Sequence, residues 1–243
     1  MKTINQFQKE YYEQLDLERG KEYILRYARV LNQYAGCEDV KILDIGGAVG
    51  AASLEVKRYL ETLGTQADLF VLDSTKYALW EEEPYKSAIH YIHASVQDMD
   101  AVLPEEIKFD LIFAGSVFHH FVEDSWNDTL KGMERCLRMV LPRLKPNGSF
   151  CLLDHFCDGI FLDYLPSFLI YSFTSMKNPA VVRVMRKLGA ASSGVGVCFQ
   201  SEKMWKERLE KCGFRIEWVD KSPQMKMSAL KKRLLFIVSA NKS

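Results

Sequence analysis

The chain has 243 residues and a mass of 28.0 kDa, with 48% hydrophobic and 26% charged residues, a composition that excludes a disordered or collagen-like protein. At ~150 residues per domain it holds about one and a half domains, which suits one α/β domain with an appended lid better than two independent cores. Thirty-two basic residues cancel thirty-two acidic ones at a pI of about 7.0, so the overall basic excess expected of a nucleic-acid-binding protein is missing.

The first forty residues predict two helices. Ile4, Phe7, Tyr11 and Leu15 recur at helical spacing, as do Tyr23, Tyr27, Val30, Leu31 and Tyr34, with Gly20 between the two sets and Gly36 as a C-cap. Short apolar runs then predict strands at 40–45, 68–73, 89–93 and 109–114, with a helix carrying Leu54, Val56, Tyr59, Leu60 and Leu63 after the first. Ser125 is placed to N-cap a helix bearing Trp126, Leu130, Met133, Leu137, Leu141 and Leu144 on one face. Lys145-Pro146-Asn147-Gly148 predicts a turn into a fifth strand, 149–153. A helix over 202–212, a C-cap at Gly213 and two strands, 214–219 and 233–239, close the pattern as an antiparallel pair at one edge.

Near-continuous apolar strands alternating with helices predict a parallel sheet covered on both faces. Cys37, Cys136, Cys151, Cys157, Cys198 and Cys212 contain no C-x-x-C pair, and residues 1–6 lack an apolar signal-peptide core. A reduced, cytoplasmic protein is expected. The most apolar stretch, 159–173, is interrupted by Asp163 and Pro166 and is shorter than the ~20 residues of a membrane span.

Ligands of parallel α/β sheets bind at the carboxyl ends of the strands. The first strand leaves through Asp44-Ile45-Gly46-Gly47-Ala48-Val49-Gly50. The pyridine-nucleotide fingerprint G-x-G-x-x-G fails here, because Ile45 stands where its first glycine would be. An acid followed by small residues two, four and six places on is present instead: Asp44, Gly46, Ala48 and Gly50. This turn resembles the first motif of the class I S-adenosylmethionine-dependent methyltransferases, with Ala48 in place of the middle glycine. Phe109-Asp110-Leu111-Ile112 and the Leu144–Ser149 turn resemble the same family's fourth strand and the approach to its fifth.

The resemblance implies a seven-stranded sheet of order 3-2-1-4-5-7-6, with the last strand antiparallel. It also implies one domain over 1–243: an N-terminal helical cap (1–38), a cofactor-binding core (39–155), a lid insert (156–200), and a C-terminal helix with edge strands (201–243). S-adenosyl-L-methionine is the implied cofactor. Asp73 would accept both ribose hydroxyls, with Ser74 beside it, and Asp98 would face the adenine amino group, with Met99 lining the ring. Gly46, Gly47, Gly50 and Gly115 would let the cofactor approach the backbone next to Asp44, and Tyr12 would close over its amino-acid end.

Methyl transfer requires a general base only where the acceptor keeps its proton, as a phenol of pKa ~10 does at neutral pH. His119-His120 after the fourth strand resembles the small-molecule branch that includes ubiquinone- and menaquinone-type enzymes; the Asn/Asp-Pro-Pro-aromatic motif of base-methylating enzymes is absent. His155, His120 and Asp154 are the candidate catalytic residues. Their spacing is not that of helical metal ligands, and no metal is expected.

Phe156, Phe161, Tyr164, Phe168, Tyr171 and Phe173 crowd the insert. It is a roof over an acceptor pocket, ordinary core, or a homodimer contact like that open to the N-terminal helices. Gly194-Val195-Gly196 is a candidate hinge. The expected activity is methylation of a small hydrophobic or aromatic acceptor, oxygen being the favoured atom and nitrogen, carbon and sulfur the alternatives. A nicotinamide-dependent oxidoreductase, a non-catalytic cofactor-binding protein and a protein or RNA methyltransferase are the competing classes.

Overall fold

Apolar runs too short for helices become strands, the central ones buried on both faces. The computed structural model describes residues 6–159, 161–187, 192–221 and 233–241. Its strands are β1 (Val40–Ile45), β2 (Ala67–Asp73), β3 (His90–His93), β4 (Phe109–Gly115), β5 (Leu144–His155), β6 (Phe214–Lys221) and β7 (Arg233–Ala240). One sheet of order β3-β2-β1-β4-β5-β7-β6 contains them all. The pairs β1–β2, β1–β4, β2–β3 and β4–β5 are parallel, whereas β7 runs antiparallel to both β5 and β6. Order and sense are those expected from the resemblance.

The helices are α1 (Gln6–Leu31), α2 (Ala51–Thr62), the one-turn α3 (Tyr85–Ala88) and α4 (Met99–Val102), α5 (Trp126–Val140), α6 (Leu165–Ser175), α7 (Pro179–Lys187) and α8 (Glu202–Lys211). Alternation along the strands feeds two cores. Leu43, Ile112 and Phe150 pack with Met133 and Leu137 of α5 and Trp205 and Leu209 of α8. Ile42, Leu111 and Phe113 pack with Tyr23, Tyr27 and Leu31 of α1 and Leu54, Val56 and Leu60 of α2. Ser125 caps α5 as expected, its hydroxyl accepting from the Asp128 amide at 3.1 Å.

Two expectations are corrected. Gly20 does not divide the N-terminal segment, because α1 runs through it unbroken. A Cβ there would lie 2.6 Å from Cγ of Glu55, so the glycine sets how closely α1 approaches α2, and that packing overrides its poor helix propensity. The turn at 145–148 does not precede β5 but lies within it. Pairing jumps from Phe109–Leu144 to Leu111–Ser149, and the turn residues form an irregularity that β5 accommodates.

The insert 156–200 leaves the sheet after β5 and returns beside it. Phe156 and Gln200 form an isolated parallel bridge, and the Cys157 amide donates to the Gln200 carbonyl at 3.2 Å. Gly194 and Gly196 both adopt positive φ; the Gly194 amide donates to Thr174 of α6 at 2.7 Å, which ties the candidate hinge to the lid helix.

Tyr27 is fully buried, stacks on Phe113 at 4.6 Å, and holds a hydroxyl with no hydrogen-bond partner among the described residues. A desolvated, unsatisfied hydroxyl costs about 1–3 kcal/mol. Tyr27→Phe is therefore expected to raise the denaturation midpoint in urea by an amount equivalent to about 1 kcal/mol; a lower midpoint would show that the hydroxyl is bonded in solution.

Candidate active site

The turn after β1 carries three positive φ values, at Gly46 (70°), Ala48 (48°) and Gly50 (78°). Side chains at Gly46 and Gly47 would overlap Val117 and the Asp44 carboxylate respectively. One at Gly50 would come within 2.8 Å of Ile89 and 3.0 Å of Val71, so this glycine seats α2 against the sheet. Asp44 is buried beneath the turn and accepts from the Ser53 hydroxyl of α2.

Residues that no motif marks hold the turn in place. The Trp80 indole donates to the Ala48 carbonyl at 2.8 Å and the Tyr91 hydroxyl to the Val49 carbonyl at 2.7 Å, their rings stacked at 4.4 Å. Asp16 of α1 accepts from the amides of Ala51 (2.9 Å) and Ala52 (3.2 Å). A residue 35 positions away in the chain thus supplies the cap that Gly50 cannot provide for α2.

At the end of β2, Asp73 accepts from the Ala48 amide at 3.0 Å through one oxygen and the Thr75 amide at 2.8 Å through the other. Burial pushes its carboxyl up to about 6, against the opposing pull of those two amides and of His93. Each oxygen keeps a lone pair for a hydroxyl donor, so the donor set fits a ribose diol. Ser74 is exposed beside it, and Asp98 is exposed at the end of a one-turn helix after β3. Met99 departs from the adenine-lining expectation: its side chain is fully buried in the core, and only its backbone is left to meet a ligand. Gly115 ends β4 where any side chain would overlap the Tyr23 phenol. The side chain of Tyr12 lies outside the described residues; Tyr23 is a tyrosine of α1 that reaches a strand exit.

The exits of β4 and β5 meet at a third carboxylate. Asp154 is buried; its Oδ2 accepts from the His119 amide (2.9 Å) and its Oδ1 from the His155 amide (2.7 Å), with the His119 ring Nδ1 2.5 Å from that same Oδ1. Burial pushes its carboxyl up to about 6, while neighbouring His155 and His120 and the two amides pull the other way. The His119 ring centroid lies 4.0 Å from that of His120 and 5.1 Å from that of His155, and Phe199 packs on both His119 and His155.

Local sequence explains the placement. Ser116 turns the chain at φ 58° after β4, and Phe118 anchors the following 3-10 turn in the core against Phe121 and Trp205. His119 is thereby buried facing Asp154, its carbonyl accepting from the Cys198 amide at 2.9 Å, whereas His120 and His155 stay half-buried. The sequence expectation named His120, His155 and Asp154; the structure brings these together and adds His119. Among the described residues no group of three or more His, Cys, Asp and Glu side chains is arranged to hold a metal.

A seven-stranded sheet of this order, with a glycine turn after β1 and an acid ending β2, defines a Rossmann-like methyltransferase fold. Residues 43–150 match the family model described as "Methyltransferase domain". Fold, turn and matched residues together are those of a methyltransferase domain, and the donor set at Asp73 fits the ribose of S-adenosyl-L-methionine. No curated protein matches it in sequence.

Solved structures of similar fold include 1,6-didemethyltoxoflavin-N1-methyltransferase of Burkholderia thailandensis, with bound 1,6-didemethyltoxoflavin and S-adenosylhomocysteine. It is 15% identical, with 97% of this chain and 86% of that chain covered and a TM-score of 0.62. Mitomycin 7-O-methyltransferase MmcR is 16% identical, with 93% and 56% covered and a TM-score of 0.55. The CurJ carbon methyltransferase is 16% identical, with 93% and 54% covered and a TM-score of 0.56. The chain thus spans little more than half the length of the last two.

Asp73 with a carboxyl near 6 makes a signed prediction. Its ionised form accepts hydroxyl protons, so protonation below that value removes acceptor capacity. Calorimetric titration with S-adenosylhomocysteine is expected to show affinity about tenfold weaker at pH 5 than at pH 7.5, the ratio that one titrating acceptor imposes. Asp73→Ala is expected to bind weakly at both; equal affinity of the wild type at the two pH values would remove Asp73 from the diol site.

Proposed function

We propose that the protein methylates a small apolar or aromatic acceptor at a hydroxyl oxygen, with His155 as general base. The observation that carries this reading is the carboxylate-anchored histidine cluster at the exits of β4 and β5. The similar proteins act, by their names, at nitrogen, oxygen and carbon, so the fold does not select the atom. A built base site does bear on it. A hydroxyl of pKa ~10 needs its proton removed, whereas a carbanion or thiolate acceptor does not.

Bound S-adenosyl-L-methionine supplies an electrophilic methyl group on a sulfonium centre. The chain's residues do the rest by holding, orienting and taking a proton. Asp73, with Ser74 beside it, holds the ribose hydroxyls and Asp98 faces the adenine amino group, while Gly46, Gly47 and Gly115 make room for Val117, Asp44 and Tyr23 of the chain itself. His155, half-buried at the end of β5, takes the acceptor's proton on its ring. Asp154 sits next to it in sequence and space, and its negative charge favours the imidazolium that results. His119 is the positioning residue: its buried ring and amide fix Asp154 between the two strand exits. His120 flanks the cluster. Alignment of acceptor and methyl donor by these groups lowers the barrier. The six cysteines are free thiols, which supports a reducing compartment.

Transfer of labelled methyl groups to a panel of phenols tests the reading. Wild type is expected to turn over at least one phenol, its rate rising with pH across the imidazole range. His155→Gln is expected to lose about 10²–10⁴-fold in kcat and to flatten that profile, with S-adenosylhomocysteine affinity unchanged. Asp154→Asn is expected to lose rate and shift the profile. Full rate in His155→Gln would reject the base assignment.

A further inference from the structure

The lid is apolar on the outside, and its charge is one-sided. Of the twelve large hydrophobic side chains exposed among the described residues, nine fall between 161 and 184. Phe161 is 94% exposed, Val184 56%, Tyr164 51% and Phe173 49%. Single exposed apolar residues are ordinary, but a contiguous set is the mark of an interaction surface. The inner side of the same segment is packed: Tyr171 lies on Trp126 at 5.4 Å with its hydroxyl on the Glu123 carbonyl, and Ser167 and Thr174 are buried.

Charge says what the outer side faces. From Tyr164 to Ser201 the sequence has no Asp or Glu but has Lys177, Arg183, Arg186 and Lys187, in a chain whose charges balance only as a whole. Lys177 and Arg183 are exposed beside Met176 and Val184. The one acid within 161–187, Asp163, is paired with Lys203 at 3.4 Å, and aromatic and aliphatic side chains with interspersed basic residues suit an anionic bilayer surface, where the apolar groups enter the headgroup boundary and the cations meet phosphate. A second copy docking symmetrically through the same face would set these cations against their own counterparts, like charge on like charge. Helix α6, at 11 residues, is far shorter than a membrane span.

We propose that the outer face of the lid, residues 161–187, seats the protein on an anionic phospholipid surface, from which a lipid-soluble acceptor reaches the histidine cluster. The lid begins and ends there. The Phe156–Gln200 bridge joins its two ends next to Asp154, His155 and Phe199. Only the acceptor route rests on the methyl-transfer reading; the docking surface stands on exposure and charge.

Co-sedimentation with phosphatidylcholine vesicles, with and without phosphatidylglycerol, tests the docking on the full chain. Partition into the anionic vesicles is expected to exceed that into neutral ones by about tenfold and to weaken as salt is raised. Phe161→Asp with Val184→Asp, and separately Lys177→Gln with Arg183→Gln, are expected to lower it about tenfold, while S-adenosylhomocysteine binding, the measure of an intact fold, is unchanged. Absent or lipid-independent partition with cofactor binding intact would overturn the docking and leave the methyl-transfer reading standing. A dimer in light scattering that Phe161→Asp dissociates would assign the face to a second copy and equally overturn it. Vesicle binding by a protein that methylates no acceptor would keep the docking and reject the route.

Discussion

A parallel sheet leaves an unsolved problem at its carboxyl edge. Each strand stops, the chain turns away, and the amides of the turn lose their ladder partners while still shielded from water. This chain answers with carboxylates. Asp73 collects the amides of Ala48 and Thr75, Asp154 those of His119 and His155, and Asp16 those of Ala51 and Ala52. Each ties together segments distant in sequence, and each thereby fixes the geometry of one strand exit.

Structure and chemistry share these groups. A carboxylate held among amides in a partly desolvated place keeps lone pairs pointing at whatever comes next to it, whether a hydroxyl or an imidazole. Burial raises Asp73 and Asp154 toward the physiological range, so both remain mostly ionised at neutral pH but are close to losing their charge in mild acid. Glycine turn and histidine cluster are therefore built from one device used twice, on either side of β4.

Local patterns made much of this legible. The strands declare themselves as apolar runs, and the turn after β1 declares itself by small residues at fixed spacing from Asp44. Asp73 and Asp154 stand at predictable strand ends. What stayed hidden depends on partners far away in the chain. Asp16 caps a helix 35 residues on, Trp80 reaches back 32 residues to Ala48, and His119 meets an acid 35 residues later. Nothing near His119 distinguishes it from His120; only the 3-10 turn held by Phe118 decides which ring goes inward. Gly20 misleads for the same reason, since a helix-breaking propensity was outweighed by contact with Glu55. Met99 was spaced as a ligand contact yet turned into the core.

The placement of β7 also governs how the molecule is made. It follows β6 in the chain but lies between β6 and β5, pairing antiparallel with both. As the polypeptide leaves the ribosome, β5 therefore carries a bare row of amides and carbonyls until residues 233–240 emerge. Through the same interval β6 has no strand to join. An exposed edge in a nascent sheet invites pairing with neighbouring chains. The sheet is completed by one late insertion, and the half that holds the glycine turn is finished well before the half that holds Asp154 is secured.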